Sequence, residues 1–189
     1  MQTAQKRALT EAEYLAFEEQ SPIRHEYVGG EIYAMTGGSQ RHNRIALNIA
    51  SRLLSVLSGK PCQVFINDVK LYVAKDSAYY YPDVMVTCGE QAARANESQV
   101  VADPVLVVEV LSPGTEAIDR REKLAAYRRL ASLQEYVLVS QDRRQVEIYR
   151  RQGDIGWLYI TCEPGDAVEF ASVGVTTPIA DLYTGTDIV

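Results

Sequence analysis

The chain has 189 residues, of which 47% are hydrophobic and 23% are charged, a composition typical of a folded globular protein. Its 25 acidic residues outnumber its 19 lysines and arginines, so the formal net charge is −6, which excludes a uniformly basic nucleic-acid coat protein. The length favours one domain over residues 1–189. No apolar run reaches the roughly 18 residues of a membrane span, and residues 1–14 lack the apolar stretch of a secretory signal.

The three cysteines, Cys62, Cys88 and Cys162, are far apart in the sequence and form no CxxC pair. An odd and scattered count disfavours both a disulfide framework and a zinc site. We therefore expect three small, buried thiols and a reducing, cytoplasmic location.

The N-terminal third is predicted to contain two helices separated by a hairpin. The segment 10–13 (TEAE) has the spacing of a capping box, which predicts a short helix that stops before Pro22. Gly29-Gly30 lies between two short alternating segments and predicts a tight hairpin turn. Ser39 is the expected N-cap of a second helix, which runs to about Ser58.

The middle of the chain is predicted to form a sheet. Residues 105–111 (VLVVEVL) are almost continuously apolar, which is typical of a strand buried on both faces. The predicted elements are, in chain order, strands at 62–66, 69–73, 83–88 and 105–111, a helix at 119–130, a strand at 135–140 and a C-terminal meander of strands. A helix, a run of strands, a helix and a further strand, in this order, predict a mixed sheet flanked by helices, in the α/β or α+β class.

Two carboxylates are candidates for chemistry because of where they lie. Glu109 is inside the apolar run, where an ionised side chain is retained when it binds a metal, pairs with a cation or moves protons. Asp83 follows Pro82 at the start of a strand, although an aspartate there also suits a turn. If the two carboxylates meet at one end of the sheet, they suit Mg²⁺, which takes one or two carboxylates and keeps several waters.

A lysine is the third candidate. Lys123 shares a helical stripe with Ala126, Tyr127 and Leu130, so we expect its side chain to face the sheet. There it would orient an attacking water or offset charge on a phosphate. The alternative is that it neutralises Asp119, four residues earlier in the same helix.

Further polar residues are secondary candidates. His42 lies near the start of the second helix on its apolar stripe, and it is either a hydrogen-bond donor in the site or a satisfied core or capping histidine. Asp68 lies between two predicted strands and either reaches the same site or shapes a turn. We expect His25 and Glu26, in the hairpin, to be solvated or structural.

Four segments in this order resemble the Uma-type restriction endonucleases of bacteria, a family of the PD-(D/E)XK nuclease superfamily: YPDVMV (81–86), LVVEVLSP (106–113), DRREKLAAYRRL (119–130) and EYVLV (135–139). The resemblance extends from the LTEAEYLAFEE opening and the hairpin to the C-terminal strands. It implies a restriction-endonuclease-like αβββαβ core, preceded by a helix and hairpin and followed by a strand meander.

The resemblance also implies roles for particular residues. Asp83 matches the aspartate of the PD motif and Glu109 matches its second acid, so both would be ligands of Mg²⁺ or Mn²⁺. The superfamily's lysine would lie two residues after Glu109, where this chain has Leu111. Lys123 matches the lysine that members of this family carry on the following helix.

The implied activity is that of a metal-dependent endonuclease that hydrolyses phosphodiester bonds in DNA, acting as a homodimer. The departure at Leu111 keeps an alternative open, in which the chain has the nuclease fold and binds nucleic acid or a protein partner without cutting. A third possibility is a structural protein in which Glu109 is ion-paired to Lys123.

The charges are distributed unevenly along the chain. Residues 41–67 hold four basic residues and no acid, and residues 119–151 hold nine against five acids. Because both segments flank the predicted site, the candidates for contact with a nucleic-acid backbone are Arg41, Arg44, Arg120 and Arg121. The segment 152–189 holds six acids and no lysine or arginine, so the acidic total describes the periphery.

Overall fold

The computed structural model describes residues 8–35, 37–89, 92 and 99–188. The strands are, in chain order, β1 (His25–Val28), β2 (Glu31–Ala34), β3 (Cys62–Ile66), β4 (Lys70–Val73), β5 (Ala78–Tyr80), β6 (Val84–Cys88), β7 (Val100–Val101), β8 (Leu106–Leu111), β9 (Glu135–Ser140), β10 (Val146–Arg151), β11 (Trp157–Cys162), β12 (Ala167–Phe170) and β13 (Val175–Pro178). The helices are α1 (Glu11–Gln20), α2 (Gln40–Leu57), α3 (116–127) and α4 (Ile179–Leu182). Within α3, a π-turn at Asp119–Lys123 separates two α-helical turns.

Most of the described strands lie in two mixed sheets. The first has six strands in the order β11-β10-β9-β8-β6-β3, and only its β8–β9 pair is parallel. The second has five strands in the order β2-β1-β5-β4-β7, while β12 and β13 form a separate two-stranded sheet. The predicted α+β architecture with an αβββαβ core is therefore confirmed, with α2, β3, β6, β8, α3 and β9 as its elements.

One part of the strand assignment differs from expectation. The predicted strand at 69–73 leaves the six-stranded sheet and lies in the other one as β4, paired with β5. Local alternation identifies a strand but carries no information on which sheet it joins, because that depends on long-range pairing. After β4 and β5 the chain returns to the six-stranded sheet as β6, and Asp83 is the residue directly before that strand.

Three packed regions hold these layers together. α2 buries its apolar stripe, including Ile45, Ile49 and Leu53, against one face of the six-stranded sheet. The opposite face packs on α3 and the five-stranded sheet through residues such as Leu111 and Tyr127. A tyrosine cluster joins α1 to the outer face of the five-stranded sheet. Every residue of β8 is buried, as its apolar sequence predicts.

Local sequence signals hold in this fold. Thr10 caps α1 through a complete capping box, and the Ser39 side chain accepts a hydrogen bond from the amide of His42 at the start of α2. Gly29 and Gly30 have φ angles of 56° and 100°, which allow the tight turn between β1 and β2. No helix among the residues that the structure describes is long and apolar enough to cross a bilayer.

The expectation of three free thiols is wrong. β3 and β6 pair with Cys62 opposite Cys88, and the two residues form a disulfide across the pair. Only Cys162 remains a free, buried thiol. The sequence separation of 26 hides the contact, which exists only because the two strands pair in this register.

Reduction of the Cys62–Cys88 disulfide is expected to lower the melting temperature. Without the cross-link the unfolded chain gains entropy, which lowers the free energy of unfolding by about 3.5 kcal/mol for a loop of this length. For a chain of this size, that loss corresponds to a fall in melting temperature of roughly 7–14 °C. Differential scanning fluorimetry with and without a thiol reductant measures the shift. The Cys62→Ser/Cys88→Ser double variant is the control and should melt at one temperature in both conditions. Equal melting temperatures for the oxidised and reduced wild type would contradict the prediction.

Candidate active site

Asp83 and Glu109 lie next to one another at one end of the six-stranded sheet. β6 and β8 are antiparallel with Val84 opposite Val108, and one step further along this register brings Asp83 opposite Glu109. The Asp83 amide nitrogen lies 3.4 Å from Glu109 Oε2. The sheet therefore brings together the two carboxylates that the sequence singled out.

The Asp83 carboxylate receives two donors on one oxygen. The Val110 amide donates to Asp83 Oδ2 over 2.7 Å, and His42 Nε2 lies 3.2 Å from the same oxygen. Burial lowers the pKa of His42, but the hydrogen bond and charge of Asp83 outweigh burial and leave that pKa raised. The first turn of α2 thus supplies a histidine that contacts and orients Asp83.

Lys123 is surrounded by three carboxylates. Its Nζ lies 3.1 Å from Glu109 Oε1, 3.1 Å from Glu26 Oε1 and 3.2 Å from Asp119 Oδ1, and its side chain is only 7% exposed. Burial lowers the pKa of Lys123, but attraction from these carboxylates outweighs burial and raises it, so the ammonium is retained. Lys123 therefore neutralises Asp119 and also pairs with Glu109, while its role toward a water or a phosphate stays a prediction.

The second oxygen of Glu109, Oε1, contacts Lys123 and Tyr127 rather than the Asp83 amide. Tyr127, one helical turn beyond Lys123, donates its hydroxyl to Glu109 Oε1 over 3.0 Å. Burial raises the pKa of Glu109, and repulsion from Asp119 and Asp83 raises it further, although Lys123 acts in the other direction. A cation bound to Glu109 would lower its pKa again, since it would favour the ionised carboxylate.

The geometry explains how a helix supplies the lysine. Leu111 lies on the same side of β8 as Glu109, but its apolar side chain packs against α3. Position 111 therefore supplies no positive charge to the site. α3 crosses this face, and Lys123, Ala126, Tyr127 and Leu130 are all buried against the sheet as the stripe predicts. Lys123 ends the π-turn of α3, a feature often found at functional sites.

Sequence reasoning missed two residues of this cluster. The sequence predicted a solvated or structural role for Glu26 and a pairing of Asp119 with Lys123, but not that both carboxylates meet this lysine beside Glu109. Alternation along β1 places His25 and Glu26 on opposite faces of the strand. The alternation shows that the two side chains point to opposite faces of β1, but it does not show that the face with Glu26 packs against α3.

The other secondary candidates lie elsewhere. Asp68 has a side chain that is 76% exposed and lies 3.5 Å from Arg24, so the structure does not bring it to Asp83 and Glu109. His25 is buried against α1, where its Nδ1 lies 3.1 Å from a carboxylate oxygen of Glu18.

The four arginines proposed to contact nucleic acid fall into two groups. Arg44 and Arg121 are exposed. Arg41 is bound by Asp187, and Arg120 donates two hydrogen bonds of 2.7 Å to Glu147. A cleft of about 650 Å³ is lined by Arg41 and Arg44, and a second of about 240 Å³ by Leu111 and Arg120. Neither cleft is lined by Asp83, which is half-buried, or by the buried residues Glu109 and Lys123.

Restriction-endonuclease-like proteins generally use a divalent cation, and the side chains around Asp83 and Glu109 can be compared with the ligands that such an ion takes. In the part of the chain that the structure describes, no three side chains of His, Cys, Asp or Glu converge on one metal position. Asp83 and Glu109 nevertheless supply two hard oxygen donors, the number that suits Mg²⁺ with its waters. Carboxylates also outnumber cations around Lys123, which pairs with Glu26, Glu109 and Asp119. The cluster therefore has the donor chemistry and the charge that a hard cation needs.

Comparison with known proteins assigns the class and then the family. A protein from Anabaena variabilis ATCC 29413, described as a "putative nuclease belonging to DUF820", superposes with a TM-score of 0.78 at 20% identity, over 93% of this chain and 97% of that one. This likeness shows that the two chains share one fold. The family model "Uma2: Putative restriction endonuclease" matches residues 11–179, so the chain belongs to the Uma2 family.

Two relatives from Synechocystis sp. (strain ATCC 27184 / PCC 6803 / Kazusa) support the assignment, and both carry the name "Uncharacterized protein". One is 36% identical over 177 residues, which is 94% of this chain and 92% of the relative. The other is 37% identical over 158 residues, which is 84% of this chain and 89% of the relative. The resemblance that the sequence motifs indicated is thus confirmed over almost the whole chain.

Proposed function

We propose that this protein is a metal-dependent endonuclease that hydrolyses phosphodiester bonds in DNA. The observation that carries the proposal is the meeting of Asp83, Glu109 and Lys123 at one sheet end in a member of a restriction-endonuclease family. The two acids come from adjacent strands and the lysine comes from a helix, so their convergence depends on the fold. The family and the fold support a nuclease, and the substrate and metal are part of the proposal.

Asp83 and Glu109 would hold Mg²⁺ or Mn²⁺. The cation would polarise the phosphate and lower the pKa of a bound water, which supplies a nucleophile at neutral pH. His42 and the Val110 amide fix Asp83 on one oxygen, and Tyr127 fixes Glu109. These contacts keep both carboxylates in place before a substrate arrives.

Lys123 would act on the substrate side of Glu109. Its ammonium carries the positive charge nearest to Glu109, and in the proposed role it orients the attacking water or offsets charge that develops on the phosphate. Engagement requires the ammonium to exchange contacts with Glu26, Glu109 and Asp119 for contacts with substrate. Glu26 and Asp119 would then retain the lysine near the reaction between turnovers.

Arginines on both sides of the site would bind the nucleic-acid backbone. Arg41 and Arg44 are at the start of α2, next to His42, while Arg120 and Arg121 are on α3, beside Lys123. A homodimer with two such sites would cut both strands of a duplex.

A second function is favoured by the residue at position 111. Leu111 stands where the superfamily has its lysine, as expected for a nuclease fold that binds nucleic acid or a partner without cutting. The closed pair of Lys123 and Glu109, which lines neither cleft, is what a purely structural role of these two residues predicts. Such a protein would have no need to bind metal at Asp83 and Glu109.

Metal binding separates the two functions. Isothermal calorimetry with Mn²⁺ is expected to show binding by the wild type and none by Asp83→Ala, because the variant lacks one of two ligands. Plasmid cleavage, measured across Mg²⁺, Mn²⁺ and Ca²⁺ and in EDTA, is expected to require Mg²⁺ or Mn²⁺ and to vanish in the same variant. Robust cleavage by Asp83→Ala would exclude the assigned role of Asp83, and a wild type that binds no Mn²⁺ and cuts nothing would favour the second function.

A further inference from the structure

The outer side of α2 carries three arginines, and residues 176–187 contact two of them. The contacts are Arg41 with Asp187, Asn48 with the carbonyls of Leu182 and Thr184, and Arg52 with the carbonyl of Thr176. The covering residues belong to the segment 152–189, which holds six acids and no basic residue. The acidic end of the chain therefore lies on its most uniformly basic helix.

The contact between Arg41 and Asp187 has the geometry of anion recognition. Arg41 Nε and one terminal nitrogen donate to the two oxygens of Asp187 over 2.9 and 2.8 Å. This two-pronged arrangement is also how arginine binds a phosphate. The side chains are 35% and 73% exposed, and an exposed ion pair contributes little to stability. A phosphate can therefore replace the carboxylate at low cost.

The position of this contact links it to the candidate active site. Arg41 and Asp187 line the cleft of about 650 Å³, together with Ser39, Arg44 and Gln141. His42, the next residue on α2, binds Asp83 on the inner side. One helical turn thus presents an arginine to the cleft and a histidine to the site.

Asp187 is held in place by its neighbours rather than by Arg41. Ile188 is buried in the core, and the Tyr183 hydroxyl oxygen lies 2.9 and 3.0 Å from the carbonyl oxygens of Ser140 and Gln145, which share its proton. The segment 183–188 would stay docked if its aspartate released the arginine. The carboxylate can thus be removed or displaced without unfolding the segment around it.

We propose that Asp187 occupies the place of a substrate phosphate on Arg41, so that the chain's own C-terminal segment competes with the nucleic-acid backbone for the cleft. The inference rests on the proposed function, since it takes nucleic acid as the ligand. The Asp187 carboxylate occupies Arg41 in the absence of substrate, and it lowers the affinity for nucleic acid because a phosphate has to displace it.

A double-mutant cycle tests the competition. Binding of a fluorescein-labelled DNA duplex is measured by anisotropy in EDTA, so that no cleavage occurs. Asp187→Asn is expected to tighten binding by about two- to fivefold, the range of an exposed ion pair. Arg41→Ala is expected to weaken binding, and in its background Asp187→Asn should give no gain. Asp154→Asn removes another exposed acid of the same segment and is the charge-matched control.

Each other result overturns the inference. A gain from Asp187→Asn that persists without Arg41, or that Asp154→Asn reproduces, would reflect net charge alone. Unchanged or weaker binding by Asp187→Asn would mean that the contact only anchors the chain end. If the wild type binds DNA tightly with no effect at Asp187, the inference falls and the proposed nuclease function stands. If no variant binds DNA, and the wild type cuts none with Mg²⁺ or Mn²⁺, both fall.

Discussion

Replacing Glu109 with glutamine is expected to lower metal-dependent cleavage by about a thousandfold, because a lost metal ligand removes several kcal/mol of transition-state stabilisation. Glutamine keeps the volume of the side chain and retains an oxygen that accepts from Tyr127 and Lys123. Burial raises the pKa of Glu109, so loss of its charge should leave the melting temperature nearly unchanged. Initial rates of supercoiled plasmid nicking and thermal melts measure the two effects.

Glu135→Gln is a matched control for that substitution. Glu135 is equally buried and lies on β9, next to β8, but its carboxylate binds Arg150 and the Ser172 hydroxyl instead of the site. The control should retain cleavage even if it loses stability. A Glu109→Gln protein that cuts at the wild-type rate would remove Glu109 from the proposed metal site.

Replacing Lys123 with methionine is expected to lower the free energy of unfolding by about 3–5 kcal/mol, because it leaves buried carboxylates without their cation. Three carboxylates, from Glu26, Glu109 and Asp119, then face one another with no ammonium between them. Adding Glu109→Gln should recover part of the loss, since it removes one of the repelling charges. Urea denaturation of the single and double variants measures both changes.

Lys70→Met is the control for removal of a buried lysine. Lys70 is 7% exposed, its pKa is lowered by burial, and within the described residues it forms no ion pair, only a contact with the Tyr81 ring. Its replacement should therefore be nearly neutral or stabilising. If Lys123→Met and Lys70→Met have the same small effect, the carboxylates around Lys123 are not charged as described.

Several parts of the fold could be predicted from the sequence because their causes are local. The capping box at Thr10 and the two glycines of the hairpin act within a few residues of chain. The apolar run around Glu109 indicated the central strand, and the stripe with Tyr127 indicated that Lys123 faces the sheet. The roles of Asp83, Glu109 and Lys123 in catalysis stay predictions, although the fold brings the three together.

Other features depend on contacts between distant segments. The disulfide needs Cys62 and Cys88 in register on paired strands, and the strand at 69–73 joined a sheet that its own pattern could not specify. Glu26 reached Lys123 because the five-stranded sheet packs against α3, and Asp187 reached Arg41 across 146 positions of sequence. Periodicity tells which residues share a face, but the partner of that face is set by the tertiary fold.

The sequence by itself thus determined the class of the protein, its family and the chemical character of the central acids and lysine, because these depend on residue identity, order and short-range periodicity. Only the tertiary structure decided that the lysine is held by three carboxylates and that the basic helix is covered by the acidic end of the chain. The physical reason is that charge acts through space. A carboxylate's pKa and partners depend on which groups lie within a few ångströms, and sequence separation does not measure that distance.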